Sequence, residues 1–131
     1  RIRRVDASVL VDLLLRLADA PALTDTLLDP TRALNAPQLV DIEVAETLRR
    51  YVRNGELPPA RGRAALDDLA DLPLERYPHS LLLPRIWDYR DNLTAYDTTY
   101  LAPANALACP VWTRDARFAN APPAIARVRL I

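Results

Sequence analysis

The sequence contains no lysine, and only one cysteine, one histidine and two glycines among 131 residues. Each shortage excludes something. Gly55 and Gly62 lie away from any expected strand end. Dinucleotide fingerprints and phosphate loops need several glycines so that backbone can approach phosphate, and neither can be built here. A single cysteine, Cys109, rules out a disulfide framework and points to a reducing cytoplasm. With His79 as the one histidine, most zinc sites are excluded and little is left for a histidine-based nucleophile triad. His79 beside Pro78 reads as a turn residue, and Cys109 before Pro110 as a structural one. The early apolar run is broken by Asp12 and Arg16, so neither a signal peptide nor a membrane span is expected. All 17 basic residues are arginine, and 17 acidic residues balance them. A neutral chain is no general polyanion binder. Arginine does suit bidentate contact with phosphate, which leaves a local basic rim open. The arginine usage, with abundant alanine and proline, also fits plain genome composition.

What remains for chemistry is carboxylate. Half of the residues are hydrophobic, enough for one core, and residues 1–131 are read as a single domain. Residues 2–5 read as a strand, and 7–18 as a helix with apolar Val9, Leu10, Leu13, Leu14 and Leu17 at helical spacing. A short helix is expected over 21–31 and a strand over 32–36. Pro37 suits the first turn of a long helix to about Asn54, with Gly55 just past its end. Further helices are expected over 58–70, 80–89 and 94–108, a helical turn over 114–118, and strands over 72–77, 111–113 and 126–130. Strands alternating with helices imply an α/β domain with a mainly parallel sheet. In such sheets, sites form beyond the carboxyl ends of the strands, where strand order switches. Asp6 and Asp115 each fall just past a strand, which puts them at one edge.

Each candidate acid also has a local structural account. Asp6 and Asp115 suit helix N-caps. Thr94 and Asp97 have capping-box spacing, although Asp97 opens a stretch with no further charge until Arg114. Glu43 lies at the margin of the apolar face formed by Val40, Val44, Leu48, Tyr51 and Val52, beside Thr47. Glu46 points further out and is spaced to pair with Arg50. Converging carboxylates repel unless cations neutralise them. Hard oxygen donors without histidine or cysteine suit Mg2+ or Mn2+, which activate water against phosphodiesters. Trp87, Tyr89 and Trp112 read as core or interface residues. Arg114 and Arg117 flank Asp115, within reach of a phosphate or simply at the surface.

VDASVLVD (5–12), APQLVDIEVAETLRRYVRNG (36–55), RDNLTAYDTTYLA (90–102) and VWTRDARFA (111–119) together resemble the PIN-domain ribonuclease toxins of the VapC type, in order and over essentially the whole chain. The resemblance implies a three-layer α/β/α sandwich with a small, mainly parallel sheet. It implies a cytoplasmic Mg2+-dependent endoribonuclease whose metal-binding and catalytic acids are Asp6, Glu43, Asp97 and Asp115. Ser8, Asn92 and Thr113 would orient the carboxylates, and Arg114 and Arg117 would touch RNA. The implied partners are a VapB-type antitoxin, an RNA substrate and a second copy of the chain. The sequence departs from the family at Thr98, Pro103, Asn105, Cys109 and Trp112, and Pro103 predicts a kink near Ala102. Two other readings use the same residues: a catalytically weak PIN-like module binding RNA or protein, and a housekeeping RNA-processing PIN nuclease.

Overall fold

The computed structural model describes residues 2–15, 33–106, 110–120 and 128–130. The helix expected over 21–31 and Cys109 lie outside them. Five strands, β1 (Ile2–Val5), β2 (Ala33–Pro37), β3 (Leu74–Tyr77), β4 (Val111–Thr113) and β5 (Val128–Leu130), form one sheet in the order β3-β2-β1-β4-β5. Every pairing is parallel. The helices are α1 (Ala7–Leu15), α2 (Leu39–Arg53), α3 (Pro59–Asp71), α4 (Leu83–Asp88) and α5 (Ala95–Ala106), with 3-10 turns at Ser80–Leu82 and Ala116–Asn120.

This order fixes the layers. From β1 to β2 to β3 the chain steps one way across the sheet; from β3 to β4 to β5 it returns and continues the other way. Parallel crossovers are right-handed, so α1, α2 and α3 cover one face while α4 and α5 cover the other. The result is an α/β/α sandwich whose strand order switches between β1 and β4. Its core is built from Val5, Val9, Leu10, Leu34, Val40, Val44, Leu48 and Leu101, all at most 2% exposed. On α2 the fully buried positions Val40, Val44 and Leu48 fall four apart, a single apolar stripe. Gly55 follows α2 at φ +74°, where a side chain would be strained, and its N–H bonds to the Val52 carbonyl at 3.1 Å. Gly62 lets α3 press on α2: a Cβ there would stand 3.2 Å from a Val52 methyl.

Two expectations need correction. Pro37 does not open α2; it ends β2, paired with Tyr77, and α2 begins at Leu39. A proline lacking its N–H costs little at a strand end, and the next amide, Gln38, takes the Tyr77 carbonyl at 3.0 Å. Trp112 and half-buried Tyr89 belong to the core or pack on it, but Trp87 is not a core residue: it is 67% exposed, with the Arg90 guanidinium 4.7 Å from its ring centroid. The helix α5 runs through Pro103 to Ala106. Proline at 103 leaves the Thr99 carbonyl, four residues back, without its helical donor. The Tyr77 hydroxyl donates to that carbonyl at 2.9 Å. The same ring carries the Arg4 guanidinium at 4.7 Å from its centroid.

Tyr77→Phe keeps the ring and removes this donor. We expect it to destabilise the fold by about 1 kcal/mol, a melting temperature lower by about 3 °C, in thermal and denaturant unfolding.

Candidate active site

At the switch point, Asp6 leaves β1 and starts α1. It caps that helix: the Val9 N–H donates to Asp6 Oδ1 at 3.2 Å, and the Leu10 N–H to the Asp6 carbonyl at 3.3 Å. The side chain is 5% exposed, so its charge must be answered locally. Two hydroxyls do this. Ser8 Oγ donates to Oδ1 at 2.6 Å, and Thr113 Oγ1 donates to Oδ2. Each hydroxyl in turn accepts a backbone N–H from beyond β4: Arg114 to Ser8 at 3.0 Å, and Asp115 to Thr113 at 2.9 Å. Those amides occupy the hydroxyl lone pairs and direct both hydroxyl protons to Asp6. Burial pushes the Asp6 carboxyl above the usual carboxylate range. The Ser8, Thr113 and Val9 bonds pull it back, and the charge of Asp115 adds to the rise.

Glu43, half-buried at the margin of α2, accepts a hydrogen bond from the Tyr100 hydroxyl of α5. Burial raises its carboxyl, the Tyr100 bond lowers it, and Asp6 and Asp97 raise it further. Tyr100 is 3% exposed, and burial followed by the Glu43 contact drives its hydroxyl far above its ordinary range. Asp97 lies in the first turn of α5, where its N–H bonds to Thr94 Oγ1 at 3.1 Å. Asp115 caps its own turn through the Arg117 N–H at 3.0 Å. The Arg117 guanidinium grips both Asp115 oxygens, Nε at 3.0 Å from each and Nη2 at 2.6 Å from Oδ2, and holds that carboxyl low.

These groups line one cleft of about 500 Å³. Six acids face it, Asp6, Asp12, Glu43, Glu46, Asp97 and Asp115, with three arginines, Arg50, Arg114 and Arg117. All four candidate acids are therefore brought to one place, with Ser8 on the wall and Thr113 buried beneath. Asn92 is not: it is exposed in the turn before α5 and does not line the cleft. Arg114 and Arg117 do line it, engaged with acids: Arg114 Nε meets Asp12 Oδ2 at 2.5 Å, and Arg117 holds Asp115. Glu46 pairs with Arg49 at 2.9 Å, three residues on, rather than with Arg50. Sequence reasoning passed over Tyr100 and Asp12. Tyr100 follows Asp97 by three, on the same helical face, which was a readable signal. Asp12 within the otherwise apolar run VLVDLLL was another.

Among the described residues no three aspartate, glutamate, histidine or cysteine side chains stand close enough to hold a metal ion as placed. The acids form an open set: Asp6, Glu43 and Asp115 each have a side-chain partner, and Asp97 lines the cleft from the first turn of α5. Their chemistry, oxygen donors only, fits a hard divalent cation.

The family model for the PIN domain matches residues 4–122. The chain belongs to the PIN-domain family. Ribonuclease VapC1 of Mycobacterium tuberculosis is 41% identical to this PIN domain over 128 residues, 97% of this chain and 96% of the relative. Ribonuclease VapC3 of the same organism is 39% identical over 119 residues, 91% and 86% of the two chains, and Ribonuclease VapC9 is 45% identical over 87 residues, 66% and 68%. The likeness is thus to the VapC type of PIN domain, over nearly the full length of VapC1 and most of VapC3. Among the described residues, no helix is long and apolar enough to cross a membrane.

Two measurements probe the cleft without substrate. Thr113→Val keeps the side-chain shape but strands the Asp115 amide and one Asp6 oxygen; we expect a loss of about 1–3 kcal/mol in denaturant unfolding. Glu43→Gln should act the other way. A carboxyl raised in the folded chain costs no stability below its ordinary value of 4.5, where folded and unfolded chains both hold the proton. The cost appears as pH rises through the raised value. In chelator-treated protein, Glu43→Gln should melt higher than the parent at pH 7, and the gain should vanish towards pH 4 (about the unfolded value).

Proposed function

We propose that this PIN domain is a metal-dependent endoribonuclease and the toxin of a type II toxin–antitoxin pair. The observation that carries the proposal is the convergence of Asp6, Glu43, Asp97 and Asp115 on one cleft at the switch in strand order. That relatives of nearly the same length are named ribonucleases supports the choice of RNA.

Asp6, Glu43, Asp97 and Asp115 are the side chains that would hold Mg2+, or Mn2+ in its place. A bound ion of this kind activates water and offsets the charge that develops on a phosphoryl group. The chain supplies the rest. Ser8 and Thr113 keep the Asp6 oxygens oriented, so the carboxylate does not have to reorganise when it takes a ligand. Tyr100 fixes one Glu43 oxygen and leaves the other to the cleft. Asp115 becomes available once its oxygens exchange the Arg117 guanidinium for another positive partner. Buried Tyr100 and Phe118 form an apolar wall that limits water around the acids.

A VapB-type antitoxin, a second copy of the chain and a cytoplasmic setting complete this reading. A catalytically weak binding module is motivated by the departures from the family around Pro103 in α5. The helix is continuous through Pro103 and carries Asp97 and Tyr100 to the cleft, which favours the nuclease. A housekeeping nuclease would share the chemistry but leave growth unaffected when overproduced.

The test is to map new RNA 5′ ends in cells after brief induction of the native chain, Asp6→Asn and Asp97→Asn. We expect discrete ends with the native chain, absent from both variants, and growth arrest that follows the same pattern. Cleavage retained in both variants, each folded by circular dichroism, would overturn the proposal. Purified protein should lose activity in chelator and recover it with millimolar Mg2+ or Mn2+.

A further inference from the structure

A cleft that faces RNA with six acids needs cations to hold the neighbouring phosphates. Three arginines line it. Arg114 pairs with Asp12, and Arg117 grips Asp115 through two nitrogens until a cation takes that carboxylate. The third is Arg50. It stands on the cleft-facing stripe of α2, seven residues, about two turns, past Glu43, with Thr47 between them. Its sequence spacing offered Glu46 as a partner, but Glu46 is taken by Arg49, which faces the apolar groove between α2 and α3 instead. Among the described residues Arg50 has no ion-pair partner. An exposed guanidinium at the cleft rim, with no carboxylate partner among the described residues, suits a phosphate oxygen.

We infer that Arg50 binds a backbone phosphate of the RNA strand next to the scissile one. The assignment rests on the nuclease reading above and adds to it a direction: the strand runs from the acids along α2 towards its C-terminal end. Seven residues of helix span about 10 Å, within reach of one to two phosphates along an extended single strand. A contact to phosphate carries no base information, so Arg50 sets affinity and register, while cleavage sequence must be read elsewhere.

The experiment is fluorescence anisotropy with a labelled single-stranded RNA pool of randomised sequence and with two defined oligomers, in Ca2+ and in chelator, over a range of salt. Arg50→Ala should weaken binding roughly threefold to tenfold on every RNA and flatten the slope of log affinity against log salt by about 0.7, the contribution of one phosphate on a single strand. Arg50→Lys, which keeps the charge, should restore the slope. Arg53→Ala, on the side of α2 that faces α3, should leave affinity and slope at the parent's values. An Arg50→Ala chain with the parent's affinity and slope overturns the assignment and leaves the nuclease reading standing. An equal loss in Arg53→Ala also overturns it, since bulk charge would then explain the effect. If the parent itself binds none of these RNAs, the nuclease reading falls and the assignment falls with it.

Discussion

Asp6 is a carboxylate held almost out of water at the point where the sheet reverses its order, and much of the architecture near it follows from that burden. An ionised oxygen pair removed from solvent must be met by donors, or it will take a proton. Here the donors come from the two chain segments that flank the switch: Ser8 and the Val9 amide from the start of α1, and Thr113 from the end of β4. The pairing of β1 with β4 is short, with two register pairs, Arg4 with Val111 and Val5 with Trp112. The hydroxyl bridges continue that pairing past the last strand residue. Ser8 and Thr113 join Asp6 to the amides of Arg114 and Asp115, so the turn carrying Asp115 is fixed by the bonds that orient Asp6. Two acids from distant parts of the chain are thereby placed through one small polar network.

The second connection crosses layers. α2 packs on one face of the sheet and α5 on the other, so side chains from the two can meet only above the strand ends. Tyr100 and Glu43 meet there. The bond ties α2 to α5 at the cleft, which Asp97 also lines from the first turn of α5. Holding α5 in place has its own requirement, because Pro103 removes a helical donor; Tyr77, from the end of β3, answers it at the Thr99 carbonyl. The strand ends thus serve α5 twice, once as its floor and once as its missing hydrogen bond.

Much of this was legible in the sequence, for a physical reason. The strands and helices are marked by apolar period and by prolines and glycines, and the four acids sit where those elements begin or turn inward. Asp6, Asp97 and Asp115 each take part in a helix or turn start, which is why local capping alone could account for them. The sequence could not resolve which acids also share a cleft, because that depends on strand order, and strand order is set by non-local pairing. The Pro37 misreading has a similar origin. Proline suits a helix start and a strand end equally, and the choice was made by the Tyr77 strand alongside it. Asn92 was linked to the site through the family resemblance, but it is exposed in the turn before α5 and does not line the cleft. Glu46 and Arg50 have ideal i,i+4 spacing, yet Arg49 competes for the same carboxylate at i,i+3, and spacing alone cannot rank two neighbours on one helix.

The electrostatics of the cleft then follow one rule. Burial and mutual repulsion raise the carboxyls of Asp6 and Glu43, so the ionised, ligand-ready form is the costly one. Where an arginine is within reach, the chain lowers that cost itself: Arg117 on Asp115, and Arg114 on Asp12. Where none is, at Asp6 and Glu43, neutral hydroxyls give direction without supplying positive charge. Whatever brings positive charge to those two acids, a proton or a cation, stabilises the fold by the free energy with which it binds the folded chain over the unfolded one. Relief of the cost of keeping two carboxylates ionised is therefore one part of the affinity of the cleft for a positive partner.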